Sequence, residues 1–354
     1  YYIMNRESEI LTNWYNKKNY SMPWRAYNTS YHIWISEIML QQTKVSTVTK
    51  YYNKWMDSFH NIESIANSSI DKILKLWEGL GYYQRAHNIH ETAKIIISNY
   101  HGKLPENYED LIQLKGIGDY TASAILSISH NKSYPAIDGN LKRVVARLSG
   151  IDDFKNIISK SKKYVSKLMD NYKPSIINQA LMDLGREVCL PKNPKCEVCP
   201  LSMQCIAHIQ KSIDRYSVKS KYKVIPNYDV AVGMIWKDNK ILISKRKKKG
   251  LLGGLWELPG GKLEIGEKYE DCLNRELREE LNISIKINKK IGIIKHKYSH
   301  FSINMIGYNC NLISGIPKPL ASDLIKWIKI DEISKYPFPK STLKLFLLGG
   351  YTFE

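Results

Sequence analysis

The apolar residues of this chain change period once, and that change decides what the chain can fold into. Through residues 6–208 they recur at helical spacing. YHIWISEIMLQQ (31–42), DKILKLWEGL (71–80), RAHNIHETAKIIISNY (85–100), YTASAILSIS (120–129) and NLKRVVARLSG (140–150) are divided by short turns carrying Gly or Pro. Residues 209–226 are polar, basic and aperiodic, as expected of a linker. YDVAVGMIW (228–236) then alternates, Asp238–Asn239 can turn, and ILIS (241–244) resumes, which predicts a β-hairpin. At 354 residues the chain has room for two or three domains, and 43% hydrophobic residues suffice for a sizeable core. No internal repeat is visible, and no apolar run is long enough to span a membrane. The first residue is Tyr1, so the native start is expected to be missing, processed or at Met4.

Charge and cysteines narrow the partners. Lys and Arg number 53 against 34 Asp and Glu, a net charge of +19. A Lys-, Ile- and Asn-rich composition contributes, but an excess this large favours a polyanion, most often nucleic acid. Four of the six cysteines fall in CLPKNPKCEVCPLSMQC (189–205), spaced C-x6-C-x2-C-x5-C. Structural zinc prefers two close pairs, and only Cys196 and Cys199 form one. The wider spread of Cys189 and Cys205 suits a cubane iron–sulfur cluster. Disulfides are the third option; no signal peptide is visible, so a reducing compartment is expected.

LKGIGDYTASAIL (114–126) carries a signal of its own. Gly116 and Gly118 interrupt a helical pattern, and a new helix is expected from Tyr120. Two glycines let the backbone approach an anion, and the helix start offers free N–H groups, the helix–hairpin–helix device for gripping a DNA phosphate. An ordinary connection between helices is the simpler alternative. With YPAIDGNLKRV (134–144) and the four-cysteine loop following, the chain resembles the helix–hairpin–helix base-excision DNA glycosylases. Within them it is similar to the adenine DNA glycosylases of the MutY type, over nearly its whole length. MPWR (22–25), SEIMLQQT (36–43), GLGYYQRA (79–86), AIDGNLKRV (136–144), NQALMDLG (178–185) and the cysteine loop carry the resemblance.

That resemblance implies a multidomain protein. An all-α glycosylase region at 1–208 would have a six-helix lobe (about 26–134) and an iron–sulfur lobe (about 1–25 plus 135–208). A linker at 209–226 and an α+β Nudix-like domain at 227–354 would follow. It implies a [4Fe–4S] cluster on Cys189, Cys196, Cys199 and Cys205, shaping a basic loop with Lys192 and Lys195. It also implies removal of adenine opposite 8-oxoguanine or guanine in double-stranded DNA, by a monomer in the bacterial cytoplasm, associated with the nucleoid.

The chemistry can be read from residue types. Cleaving an N-glycosidic bond requires protonation of the departing base and stabilisation of a cationic sugar, work suited to two carboxyl groups in different protonation states. Glu37 lies among Ile35, Ile38, Met39 and Leu40. Burial there would raise its pKa and keep it protonated, as a general acid needs. On an amphipathic helix it could instead face solvent. Asp138 precedes Gly139–Asn140 at a helix start, where it can cap the helix and also be the ionised second carboxylate. By resemblance, Tyr120 and Asn140 support the two acids, and Trp24, Arg25 and Gln179 surround the flipped adenine. Gln41, Gln42, Tyr82 and Tyr83 would enter the duplex near the 8-oxoguanine. Bifunctional endonuclease III-like relatives carry a lysine at the slot of Tyr120, and tyrosine cannot form a Schiff base. A monofunctional enzyme is therefore expected. An endonuclease III-like enzyme and a catalytically idle DNA-binding protein are the alternatives.

GKLEIGEKYEDCLNRELREELNI (261–283) resembles the Nudix box, with Asn282 replacing its last glycine. Glu276, Glu279 and Glu280 would share one helix face and could hold Mg²⁺. A solvated helix laced by Arg275 and Arg278 is the alternative. HKYSHFSI (296–303) resembles a family loop that reads 8-oxoguanine, with Tyr298 in place of Phe and Ser299 and His300 at the lesion edge. The resemblance therefore implies recognition without hydrolysis; the nearly intact box leaves Mg²⁺-dependent nucleotide hydrolysis as the competing reading. KRKKK (245–249) is a basic cluster, either a solvated loop or a phosphate contact.

Overall fold

In the computed structural model the described residues are 2–18, 22–216 and 224–352. They form two compact units, Tyr1–Asn67 with Asn88–Lys221, and Ser68–His87 with Tyr222–Glu354. The expected architecture is present: helices through the first 216 residues, then a sheet with helices. Of the linker expected at 209–226, residues 217–223 lie outside the described residues. Ile213–Tyr216 is a short 3-10 turn whose Tyr216 is buried against Ala146, Ile157 and Ala207.

The helical unit is organised around helix Ser30–Leu40. Thr29 caps it by accepting from the His32 N–H, and every residue from Ile33 to Met39 is buried, Ser36 and Glu37 included. It packs on helix Asp119–His130, which begins one residue before the expected position and ends at a left-handed Asn131. Helix Pro174–Glu187 starts with proline, whose fixed φ suits the first turn, and packs on Tyr2–Lys17, Asp119–His130 and Gly139–Ser149. Its Asn178, fully buried, donates to the Ser127 hydroxyl (2.7 Å) and the Tyr134 carbonyl (2.9 Å) and accepts from the Ala136 N–H (3.1 Å). That clamp fixes the extended segment leading to Asp138. In the hairpin, Gly116 has φ +81°, and a Cβ there would lie 2.9 Å from the Asn88 Cβ, so only glycine fits without a shift. Gly118, the N-cap of the following helix, is extended.

The second unit holds a seven-stranded sheet: β1 Asn227–Lys237, β2 Lys240–Lys245, β3 Trp256–Glu257, β4 Gly260–Lys262, β5 Ser284–Lys297, β6 Ser302–Ser314 and β7 Leu324–Ile328. The order is β3-β2-β1-β6-β5, with β4 paired to β1 and β7 to β2; β1 and β6 run parallel. The expected hairpin is there: Lys237 pairs with Lys240 across Asp238 (φ +48°) and Asn239 (φ +58°), the two left-handed residues a type I′ turn requires. Ala231 and Ile235 of β1 face helix Tyr269–Leu281 through Leu273 and Leu277. Val232 and Met234 belong to the core on the other side, with Phe338, Leu345 and Phe346. Each large apolar side chain so buried stabilises the unit by about 1.5–3 kcal/mol.

The metal expectations are corrected. Among the described residues no group of three or more His, Cys, Asp or Glu is placed to hold a metal ion. This overturns the [4Fe–4S] assignment to Cys189, Cys196, Cys199 and Cys205, and equally the Mg²⁺ option on Glu276, Glu279 and Glu280. The four cysteines are free and line a space of about 30 Å³, room for roughly one or two waters and not for an iron–sulfur cubane. Burial pushes the Cys199 thiol up to about 12 and also raises Cys196 and Cys205, which disfavours thiolates. Arg147 holds the loop instead. It donates to the Cys189 sulfur (3.4 Å) and to the Leu190 (2.7 Å) and Pro191 (3.2 Å) carbonyls, while the Cys205 thiol donates to its backbone oxygen (3.4 Å). On the Nudix-like helix, Arg275 takes up the carboxylates: it pairs with Glu267 (2.8 Å), Glu276 (3.1 Å) and Glu279 (3.3 Å).

Asn282, which interrupts the box, ends that helix in the left-handed region at φ +54°, a role in which asparagine is the usual substitute for glycine. Replacing Asn282 by Ala should therefore lower the unfolding free energy by about 1 kcal/mol, and by Gly should be neutral or slightly stabilising. Urea melts of the three proteins check this.

Candidate functional site

In the helical unit a cavity of about 620 Å³ lies between helices Ser30–Leu40, Asp119–His130 and Pro174–Glu187 and the 3-10 turn Pro23–Arg25. Both candidate acids, Glu37 and Asp138, line it. So do Tyr120, Asn140, Trp24, Arg25 and Gln179, and Gln41 and Gln42 at the end of helix Ser30–Leu40.

Glu37 is 5% exposed. Burial lifts its carboxyl to about 7; the Tyr120 hydroxyl, donating to Oε2 at 2.7 Å, and Arg25 pull the other way, while Asp138 adds to the rise. The same burial, with the two carboxylates nearby, raises the Tyr120 phenol well above its ordinary value, so Tyr120 acts only as a neutral donor. Asp138 caps helix Gly139–Ser149 by accepting from the Leu141 N–H at 2.7 Å. Burial raises its carboxyl too, but the Leu141 and Asn140 N–H groups, Arg143 and Lys142 favour the charged form. The two acids thus differ in kind: Glu37 sits among apolar side chains, Asp138 at a helix start rich in donors.

The other expected pocket residues are held by specific partners. Arg25 makes a bidentate pair with Asp183 (2.6 and 2.9 Å), in which Asp183 is nearly fully buried. Trp24 is buried edge-on against Tyr52, with ring centroids 5.5 Å apart. Gln179 donates to the Ser175 carbonyl (3.1 Å), and Arg143 donates to Asn140 Oδ1 (3.0 Å). Gln41 donates to Thr121 (3.3 Å), and Gln42 is exposed with φ +56°. Sequence reasoning did not single out Asp183, Arg186, Met182 or Asn178, although all lie in or beside NQALMDLG. The signal was there: a carboxylate five residues after an asparagine on one apolar helix.

In the second unit Tyr83 is buried, and its hydroxyl accepts from the Gly79 N–H (2.9 Å), so it braces its own loop. Tyr82 has φ +51° and meets His300 edge-to-face at 5.5 Å. Ser299 and His300 are exposed in the turn between β5 and β6. Tyr298, where Phe was the family's residue, hydrogen-bonds Ser341 (2.8 Å) and stacks on Phe301. Of KRKKK, Lys245 pairs with Asp71 (2.6 Å) and Arg246 with Glu257, so these two charges are engaged within the unit. Glu280 is lifted to about 7 by burial, with Glu276 and Glu257 contributing.

Residues 35–174 match the family described as HhH-GPD superfamily base excision DNA repair protein, and residues 231–348 match the NUDIX domain. The chain is 39% identical to the adenine DNA glycosylase of Buchnera aphidicola subsp. Schizaphis graminum over 311 residues, 86% of this chain and 87% of the relative. It is 27% identical to the human adenine DNA glycosylase, over 95% of this chain and 72% of that protein. A solved thermostable thymine-DNA glycosylase superposes with a TM-score of 0.53 at 28% identity, covering 58% of this chain and 97% of that one. Relatives of this kind occur in bacteria and eukaryotes alike, so the match does not specify a bacterial source.

A carboxyl raised by burial destabilises the fold once it must ionise. The raised pKa of Glu37 means its contribution to stability is fully present below about 4.5 and is lost as pH rises through about 7. Glu37→Gln should remove this dependence and be more stable than wild type above neutrality, by on the order of 3 kcal/mol at most. Thermal melts of both proteins from acid to alkaline pH read the difference directly.

Proposed function

The chain belongs to the adenine DNA glycosylase family and is a DNA glycosylase acting in base excision repair; from that premise we propose that it removes adenine mispaired with 8-oxoguanine or guanine in double-stranded DNA, as a monofunctional enzyme. The observation that carries the reading is the buried Glu37 carboxyl, held near a pKa of 7 in a 620 Å³ cavity that it shares with Asp138.

Adenine must leave the stack to enter such a cavity. Trp24, Arg25 and Gln179 then surround the flipped base. Glu37 gives its proton to a ring nitrogen of adenine, which makes the base a neutral leaving group. As the bond between sugar and base breaks, Asp138 faces the positive charge that develops on the sugar. Glu37, now a carboxylate, takes a proton from the water that adds to the sugar carbon, and the products are adenine and an abasic site. Tyr120 keeps the Glu37 carboxyl oriented through its 2.7 Å hydrogen bond. No lysine stands at that position; among the described lining residues the lysine present is Lys44, at the start of helix Val45–Ser58.

In this reading 1–208 is the glycosylase region and 227–354 the Nudix-like domain that reads the lesion through Ser299 and His300, without nucleotide hydrolysis. Gly116, Gly118 and the helix they precede grip a phosphate of the duplex, and Gln41, Gln42 and Tyr82 approach the base left behind. The enzyme works as a monomer on its duplex.

Purified protein is expected to release adenine opposite 8-oxoguanine fastest, opposite guanine more slowly and opposite thymine poorly, with strand scission only after alkali or heat. Efficient borohydride trapping of the protein on DNA would overturn the monofunctional assignment, and preferential release of an oxidised pyrimidine would favour an endonuclease III-like enzyme. Glu37→Gln and Asp138→Asn should each slow single-turnover excision by at least about a hundredfold. Asparagine at 138 keeps an oxygen for the Leu141 N–H, so its loss reports on charge rather than on the helix cap. Near-normal excision by either variant removes that residue from the mechanism.

A further inference from the structure

Residues 68–87 belong to the same compact unit as the sheet, and they are attached to it at both ends by polar contacts. At the base, Asp71 on helix Ile70–Leu76 accepts from Lys245 Nζ of β2 at 2.6 Å and from the Trp256 indole N–H of β3 at 3.3 Å. Glu78, two residues past that helix, accepts from the Phe338 N–H at 2.7 Å. Lys75 joins them, donating to Glu78 (3.0 Å) and to the Tyr336 carbonyl (3.1 Å). Beyond the loop, His87 hydrogen-bonds the Gly253 carbonyl at 3.0 Å, and a Cβ on Gly254 would lie 2.8 Å from the imidazole.

Between these anchors runs the loop that bears Tyr82. Gly79, Gly81 and Tyr82 are left-handed, at φ +92°, +79° and +51°. The loop is braced from inside: the Trp77 indole and the Arg85 guanidinium both donate to the Gly81 carbonyl at 3.0 Å. Arg85 also lies over the Trp77 and Tyr82 rings, at 5.2 and 5.4 Å from their centroids. A loop so braced transmits the placement of its base to its tip. At that tip the Tyr82 ring meets His300, in the turn proposed to read the lesion.

We infer that Asp71, through its bridge to Lys245 and Trp256, is a positioning residue for lesion discrimination: it sets where Tyr82 stands relative to Ser299 and His300. The side chain is far in sequence from the catalytic acids and lines no part of their cavity. The inference rests on the proposed reading of Ser299 and His300. Its ligand is the 8-oxoguanine strand of a duplex, and the effect acts on the choice between 8-oxoguanine and guanine rather than on bond cleavage.

The test uses the full chain and the ratio of single-turnover excision rates for adenine opposite 8-oxoguanine and opposite guanine, at saturating enzyme. Asp71→Ala and Lys245→Ala should each lower that ratio by about tenfold, the kind of loss that misplacing a positioning element causes. The rate opposite guanine should change little. Asp71→Asn retains an acceptor for the Trp256 indole and loses the charge, so it should fall between. The exchange Asp71→Lys with Lys245→Asp should recover part of the ratio. A ratio within about twofold of wild type in the Asp71 and Lys245 variants overturns the inference. So does an equal slowing on both duplexes accompanied by a lower melting temperature, which marks a purely structural bridge. If Asp71→Ala does not fold, Lys245→Ala and Asp71→Asn decide the question by the same ratio. Wild-type protein with no preference for 8-oxoguanine would instead refute the proposed lesion reading, before any variant is compared.

Discussion

Burying the Glu37 carboxyl is the constraint on which the helical unit depends. A carboxyl group buried in a cavity it shares with Ile33, Leu40 and Ile128 is tolerated only if it stays protonated or finds donors. The fold supplies one donor, the Tyr120 hydroxyl, and keeps the cations at a remove: Arg25 is engaged by Asp183. Had Arg25 paired with Glu37 instead, the ion pair would have favoured the charged carboxylate, against the proposed acid role. The bidentate Arg25–Asp183 pair therefore does two things at once. It fixes a pocket side chain, and it engages the guanidinium elsewhere than on Glu37, as the proposed acid role requires. Asp138 is raised by burial as well, but it is surrounded by more donors. The Asn178 clamp on residues 134–136 delivers it to a helix start, where backbone N–H groups favour its charge.

The sheet unit deals with charge in another way. Several of its carboxylates are paired with arginines: Glu267, Glu276 and Glu279 with Arg275, and Glu257 with Arg246. On the helix face that spacing alone makes attractive for a divalent cation, Glu276 and Glu279 are thus tied to one guanidinium. The cysteine loop shows the same principle. The Arg147 guanidinium satisfies the Leu190 and Pro191 carbonyls, and burial raises the Cys196, Cys199 and Cys205 thiols. In both places residue spacing pointed to a metal, and local partners engage several of the expected ligands: Cys189 and Cys205 in the loop, Glu276 and Glu279 on the helix.

Much of this was legible in the sequence. The change of apolar period located the sheet, and Asp238–Asn239 marked its first turn because two left-handed residues were available there. Glu37 could be singled out as a candidate because Ile35, Ile38, Met39 and Leu40 leave only a narrow polar face, and Asp138 because an aspartate before Gly-Asn at a helix start has a cap to make. Partnerships were not legible. Nothing in the spacing of Arg25 and Asp183, 158 residues apart, announces a bidentate pair. Likewise Asp71 reads as an ordinary first-turn helix acid until Lys245 and Trp256 are seen beside it. Ligand spacing misled for the same reason: it reports which residues can converge, and competing hydrogen bonds decide whether they do.

The ionisation of Glu37 is the most direct test of the account. Infrared difference spectra of the free enzyme, recorded against Glu37→Gln across neutral pH, isolate the stretch of its protonated carboxyl. The account predicts a band that is present in mildly acidic solution, titrates with a midpoint near 7 and is missing from the variant. A band that disappears at about 4, as for an ordinary solvent-exposed glutamate, would contradict it.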